Sequence, residues 1–370
     1  MKSLVINATM LNEQSGGLGV YIRELLCGLE SRTFPFDIKV VVDKNFSKID
    51  SYLPVNINSK YFADRIIKEV FLWPSLIRKY QWDYFHSPMS YYPSSVHIPS
   101  LVTIHDLCCF HYAAGYSLLR AKYLQKMISS SAKRAEKIIA ISEFTKQDLI
   151  NTCKVPASKI KVVHNGINSK EFQKIYSDAD KVLIRKRYSL PENYILMIGH
   201  LEPRKNYIRL LQSFKILKQK YDIKESLVIV GRENWKFQPI YDTLQELKLE
   251  KEVYFTSFVH QGDLAAIYQD AKVFVNASLF EGFGLTPLEA MAAGIPVAVS
   301  NATSHPEIVN DSGIYFDPYD PEDIARAIFV LLNDSDLQKK LVKNGYKNIK
   351  RFEWHQCCNS TFDLYEEIIV

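Results

Sequence analysis

The sequence predicts an α/β protein made of two doubly wound, Rossmann-like domains with parallel sheets. Three observations carry that reading. Short apolar runs alternate with helical patterns along the whole chain, the signature of repeated βαβ units. The 370 residues exceed what one hydrophobic core usually sustains, roughly 250–300 residues. Residues 272–300 read as strand, glycine loop, helix and strand, a phosphate-binding layout.

In the first half, apolar runs predict strands at 4–8, 38–43, 82–86, 101–105, 137–141 and 160–164, with helices at 19–30, 62–80, 117–135 and 143–153. The Asn165-Gly166 turn and the polar stretch after it read as a linker. A second set of strands follows at 194–199, 227–231, 253–258, 272–276, 295–300 and 313–316. Its helices are expected near 205–220, 238–247, 263–270, 287–293, 321–333 and 335–350. Asp320-Pro321-Glu322-Asp323 is a helix start: a capping Asp, Pro at the first position, then acids in the first turn. The last segment, 353–369, is amphipathic and long enough to return to the first domain. The expected domains are 1–170 and 193–350, joined by a linker at 171–192, with 351–370 packing back on the first. A ligand cleft is expected at the carboxyl ends of the strands.

Composition narrows the class. Hydrophobic residues make up 47% and aromatics 12%, as in a globular protein with large cores. No run approaches the roughly 18 apolar residues of a membrane span. The N-terminal run is too short for a signal peptide and reads as a first strand. The six cysteines include two adjacent pairs and no C-x-x-C, so free thiols in a reducing cytoplasm are expected. Net charge is +5, unevenly placed. Residues 1–175 hold 23 Lys and Arg against 14 Asp and Glu, and residues 176–370 hold 23 against 27. The basic half either faces something anionic, such as a phospholipid surface, or is ordinary lysine-rich surface.

Four constellations carry chemistry. In Glu281-Gly282-Phe283-Gly284-Leu285-Thr286-Pro287-Leu288-Glu289, two carboxylates bracket a glycine loop. The glycines let backbone amides approach a ligand, and the following helix N-terminus adds roughly half a positive charge. Glu281 lies at a strand end with no local structural duty. Glu289 has two readings, because Thr286-x-x-Glu289 is also a capping box. Ser304-x-x-Glu307 is a second such box. Gly199-His200-Leu201-Glu202-Pro203-Arg204-Lys205-Asn206 places two adjacent cations at a strand end, a diphosphate clamp or a solvated helix start. Ser15-Gly16-Gly17-Leu18-Gly19 is a glycine-rich first turn without full dinucleotide spacing. Thr103-Ile104-His105-Asp106 ends an apolar strand where such sheets bind ligands. Asp178-Ala179-Asp180 and Asp334-Ser335-Asp336 match an acidic D-x-D but read as solvated loops rather than metal ligands.

Taken in order, these motifs, with 138–142, 162–167, 301–307 and 351–354, resemble the retaining glycosyltransferases of family 4, whose fold is the two-domain GT-B fold. The resemblance spans essentially the whole chain. It implies that Glu289 holds the ribose hydroxyls of a nucleoside diphosphate sugar while still capping its helix, and that Glu281 contacts the donor sugar. It gives Arg204 and Lys205 the diphosphate, and the amides of Gly282, Phe283, Gly284 and Leu285 the sugar and phosphate oxygens. Gly17 would approach the diphosphate and His105 the donor sugar. Many members carry Arg where this chain has His200, which puts the diphosphate clamp in question.

The motif forms look like mannosyl- and rhamnosyltransferases of bacterial surface polysaccharides of the O-antigen type. The implied reaction moves mannose from GDP-mannose, with retention, to a glycan or lipid-diphosphate-linked glycan. No metal or other cofactor is needed and no nucleic acid is expected. A UDP- or dTDP-sugar donor, a nucleotide-sugar 2-epimerase and a non-catalytic nucleotide-sugar-binding protein are the alternatives. The expected location is the cytoplasm, with contact to the inner face of the plasma membrane. That contact would come through residues 62–80 and 118–137, whose apolar residues are interleaved with cations and face either a bilayer or the core.

Overall fold

The computed structural model describes residues 1–11, 16–45, 52–57, 62–257 and 259–370. Ser15 of the first glycine turn and Phe258 of the expected 253–258 strand lie outside them. The chain divides into two compact units: residues 1–113, 117–166 and 354–370, and residues 114–116 and 167–353.

Among the described residues the first unit holds seven strands: β1 (Ser3–Ala8), β2 (Asp37–Asp43), β3 (Leu53–Val55), β4 (Tyr84–Ser87), β5 (Ser100–Ile104), β6 (Lys137–Ala140) and β7 (Ile160–Val162). They form one sheet in the order β3-β2-β1-β4-β5-β6-β7. Every pairing is parallel, for example Leu4 against Ile38 and Leu101 against Lys137. The second unit holds β8 (Tyr194–Ile198), β9 (Ser226–Val230), β10 (Val253–Thr256), β11 (Val273–Asn276), β12 (Val297–Ser300) and β13 (Ile314–Phe316). Their order is β10-β9-β8-β11-β12-β13, again all parallel. Strands buried on both faces need continuous apolar runs, which is why Leu-Val-Ile and Val-Phe-Val segments mark them. In each sheet the order reverses beside the first strand, at β1/β4 and β8/β11. Ligands of doubly wound sheets bind at such points, beyond the carboxyl ends.

Each unit has its own core. Ile195, Met197, Ile229, Val275 and Phe214 anchor the second. Leu4, Ile6, Ile22, Leu25 and Leu101 anchor the first, joined by Trp354, Phe362 and Tyr365 of the last helix, Trp354–Ile369. That helix packs on helix Gly17–Leu29, and a Cβ at Gly28 would stand 2.6 Å from Cys358 Sγ. Gly→Ala inside a helix ordinarily gains about 1 kcal/mol. Here the clash reverses the sign, so Gly28→Ala lowers the melting temperature in a thermal scan.

A fully buried network, absent from the sequence reading, ties this core together. His86 Nδ1 meets the Tyr365 hydroxyl at 2.6 Å and its Nε2 meets Thr103 Oγ1 at 3.0 Å, while Thr103 also meets the Tyr21 hydroxyl at 3.0 Å. Burial pushes His86 down to about 3, so it stays neutral.

Several expectations need correction. Residues 171–192 are not a bare linker but part of the second unit, with helices Ser169–Phe172 and Asp178–Tyr188. The acidic Asp178-Ala179-Asp180 is a helix start: Ser177 and Asp180 form a reciprocal capping box. Arg185 and Arg187 then pair with Asp270 and Asp263 of helix Gln261–Asp270, at 2.7 and 2.6 Å. Asp334 likewise caps helix Ser335–Asn348, accepting from the Leu337 amide. Asp320 caps Pro321–Asn333 as expected. The helix expected at 143–153 is α-helical only to Asp148 and becomes a π turn at Leu149–Cys153. The three-residue edge strand β3, with Pro54 at its centre, is too short to show a period in sequence. None of the six cysteines is in a disulfide.

Candidate functional site

A buried charged cluster of the second unit forms between the segments that follow β8 and β11. Beyond β8 the chain makes a single turn, Pro203–Lys205, and leaves it through Asn206 in the left-handed region at φ 63°. Asn206 donates to the Pro318 carbonyl at 2.7 Å, and the Leu279 amide donates to the Arg204 carbonyl at 2.8 Å. The turn is thereby pinned to the segment leaving β11, and the cations meet the carboxylate that segment carries.

Lys205 Nζ donates to Glu281 Oε1 at 2.5 Å, and Ser278 Oγ donates to the same oxygen at 2.8 Å. Arg204 donates to Glu281 Oε2 and to the Phe280 carbonyl, each at 3.0 Å, and pairs with Glu202 at 2.6 Å. Glu202 also accepts from Asn234 at 2.9 Å. Two cations and two carboxylates thus sit together, and Lys205, Glu202 and Glu281 are all buried. Burial alone would raise the Glu281 carboxyl. Lys205 and Arg204 outweigh it and hold the group well below the usual carboxylate range. Glu281 is therefore ionised, with both oxygens engaged, and the bond from nearby Ser278 corrects the expectation that it has no local structural duty.

The glycine loop, residues 281–284, is clasped from the segment after β12. The Glu281 amide donates to Thr303 Oγ1 at 3.0 Å. The Ser304 hydroxyl reaches the Glu281 and Phe283 carbonyls at 3.0 and 2.7 Å. Gly284 stands at φ 105°, a conformation that requires glycine, and forms the N-cap of helix Leu285–Ala293. Gly284 has no side chain with which to cap that terminus. The Phe283 side chain points into the protein, edge-on to Phe352.

Both expected capping boxes are overturned. Thr286 lies inside the helix and accepts from Asn276 at 3.3 Å. Ser304 spends its hydroxyl on the loop instead of on its own helix, His305–Val309. Glu289 accepts from the Tyr268 hydroxyl at 2.7 Å. Burial raises its carboxyl to about 7, the Tyr268 bond lowers it, and nearby Glu171 adds to the rise.

His200 is exposed at the start of the turn. Partial burial, opposed by Glu202 and aided by Lys205, Arg204 and Arg232, lowers it from its ordinary value. It is neutral at pH 7, so the positive charge of the cluster rests on Arg204 and Lys205.

Two expected residues belong to the first unit. Gly17 opens helix Gly17–Leu29. His105 follows β5, edge-on to Tyr21 of that helix at 5.0 Å between centroids. His105 Nε2 lies 2.9 Å from the Pro88 carbonyl, which can only accept, so Nε2 carries the proton. Burial keeps the ring neutral, and Nδ1 is then an acceptor.

The sequence reading missed Glu202, Ser278, Tyr268 and His305 as parts of this machinery. His305 is fully buried. Its Nδ1 donates to Ser300 Oγ at 2.8 Å, since that hydroxyl donates onward to the Ser278 carbonyl at 2.6 Å. Burial lowers it to about 4, against the pull of Glu281. The sequence signal was available: a His placed two residues before Glu307 in the 301–307 motif.

Residues 180–348 match the family model described as glycosyl transferases group 1, and residues 15–171 match that described as glycosyltransferase family 4. The chain is 30% identical to O-antigen chain mannosyltransferase B of Escherichia coli over 78% of this chain and 76% of that protein. It is 31% identical to the serotype-specific mannosyltransferase WbdA of Escherichia coli over 68% of this chain, but spans only 31% of that longer protein. Among solved structures, the sucrose-phosphate synthase of Thermosynechococcus elongatus aligns with a TM-score of 0.79 at 20% identity, covering 100% of this chain and 99% of that one.

Proposed function

The chain belongs to the family 4 glycosyltransferases, with a GT-B fold, and from that premise we propose that it moves mannose from GDP-mannose, with retention, to a glycan acceptor in surface-polysaccharide synthesis. The observation that carries this reading is the placing of Arg204 and Lys205 on Glu281, at the head of the glycine loop that leads into a helix N-terminus. A departing diphosphate needs positive charge fixed in advance, and these groups supply it without a metal. Glu289 takes the ribose. The loop amides take hydroxyls of the sugar. Glu281, held by cations on both oxygens, is unsuited to act as a nucleophile. That favours front-face displacement, in which the leaving phosphate accepts the acceptor's proton. The mannosyltransferase names of the relatives support the choice of sugar.

A thermal-shift panel of GDP, UDP, dTDP and ADP tests the base, and mass spectrometry of transfer from the matching sugar nucleotide tests the reaction. GDP stabilises and GDP-mannose is consumed. Stabilisation by UDP alone reassigns the donor, and an isomeric nucleotide sugar formed without acceptor reassigns the protein as a 2-epimerase.

The acceptor is proposed to be lipid-diphosphate-linked and reached from the membrane surface. Among the described residues no helix is long and apolar enough to cross a membrane. In the first unit, Ile67 and Phe71 are 57% and 74% exposed, and Leu118 and Leu119 are 69% and 83% exposed. Lys68, Arg120 and Lys122 accompany them on the same helices, while Trp73 and Met127 face the core. The protein therefore floats with anionic vesicles at low salt and releases at high salt. Failure to float at low salt removes the membrane contact.

A further inference from the structure

Tyr268 lies on helix Gln261–Asp270 and takes no part in the chemistry proposed above. It is fully buried, its ring edge-on to Phe172 and tilted against Phe274, with centroids 5.6 Å from each. Gln269, its neighbour, donates to the Phe172 and Lys174 carbonyls at 2.7 and 2.8 Å, which fixes the helix against the segment carrying Phe172. A fully buried tyrosine packed against two rings has little freedom to move, and its hydroxyl lies 2.7 Å from Glu289 Oε2. The Thr286 carbonyl lies 3.4 Å from the same hydroxyl.

We propose that Tyr268 is the positioning residue for Glu289: it fixes one carboxylate oxygen and thereby presents the other to the ribose hydroxyls of the donor. The proposal rests on the reading of Glu289 as the ribose ligand. A carboxylate on a helix otherwise samples several rotamers, and each must be frozen when a ligand binds. A bond already made to a rigid ring removes part of that cost. It also favours the ionised form, which is the hydrogen-bond acceptor that a ribose needs. The groups acting on Glu289 here are Tyr268, which lowers its pKa, and Glu171, which raises it together with burial.

The test uses the full chain with GDP and UDP, and the 2′-deoxy and 3′-deoxy forms of whichever binds. A hydrogen bond to a charged group makes the wild type prefer the ribonucleotide by about tenfold or more. Glu289→Gln loses most of that preference. Tyr268→Phe keeps the ring contacts with Phe172 and Phe274, so the fold is retained. It weakens ribonucleotide binding about tenfold while leaving the deoxy forms nearly unchanged, so the ratio contracts. Raising the pH from 7 to 8.5 restores part of the loss, because the carboxylate deprived of Tyr268 holds its proton to higher pH. In turnover, KM for the donor rises and kcat changes little.

A Glu289→Gln variant with the wild-type ratio overturns the ribose reading itself. If that variant loses the preference while Tyr268→Phe keeps it, only the positioning role falls. A Tyr268→Phe variant that weakens ribo and deoxy forms equally, at every pH, also overturns the positioning role and leaves Tyr268 as packing.

Discussion

Lys205→Ala lowers transfer by about 10²–10³ in kcat, the usual effect of removing one preorganised electrostatic donor, about 2.7–4 kcal/mol of barrier. The size follows from burial. The Lys205 ammonium is buried and held in place by Glu281, so it is oriented in advance and little water screens its interaction with a developing phosphate oxygen. Arg204 cannot replace it, because its guanidinium is already shared among Glu202, Glu281 and the Phe280 carbonyl. Nor can His200, which is neutral at pH 7. The variant keeps its fold, since Glu281 retains Arg204 and the Ser278 hydroxyl. Lys205→Arg is not a conservative control: the planar fork needs a different geometry from a point charge. Steady-state transfer beside a melting curve checks the prediction. A folded Lys205→Ala enzyme within about threefold of wild-type kcat removes Lys205 from the diphosphate.

The parallel sheets were legible in the sequence because doubly buried strands leave no polar alternation: Leu4-Val5-Ile6 and Val273-Phe274-Val275 admit few other readings. The glycine loop and the cation pair were legible because their conformations and charges demand particular residue types. What was not legible depends on contacts distant in sequence. Ser304 matches a capping box, yet its hydroxyl goes to carbonyls more than twenty residues earlier, and local pattern has no means of ranking those partners. The same holds for Thr286-x-x-Glu289. The box fits the spacing, but Gly284 takes the cap position and Tyr268 takes the carboxylate. The 171–192 stretch read as linker because its polarity conceals how its helix is held, through the Ser177–Asp180 box and two Arg–Asp pairs to another helix. Polar residues that bond one another across the fold resemble solvated ones in sequence.

Glu281 shows the same gap at the centre of the site, and it sets the second large expectation. Glu281→Ala lowers the stability of the second unit by about 3–5 kcal/mol, the cost of leaving a buried cation unpaired. For a unit of this size that is a fall of roughly 6–20 °C in its melting transition. Without Glu281, the Lys205 ammonium loses the carboxylate it pairs with, while Arg204 keeps Glu202. The loss has a defined pH dependence. A carboxylate whose folded pKa is depressed contributes stability above its unfolded value, about 4.3, and that contribution fades as the pH falls towards the folded value. Wild type and variant therefore differ most above pH 5 and converge in acid. A diphosphate brings back the missing negative charge. GDP consequently raises the melting temperature more in Glu281→Ala than in wild type, even though transfer is impaired. Glu281→Gln falls between, keeping hydrogen-bond acceptance but not charge. A residue whose role were limited to touching the donor sugar would behave differently. Its removal would leave the melting temperature and its pH profile where they are and alter kcat alone. Melting curves from about pH 2.5 to 8, a range set by the carboxylate's unfolded and lowered folded values, with and without GDP, separate the two, and unchanged curves would show that Glu281 does not hold the cations in place.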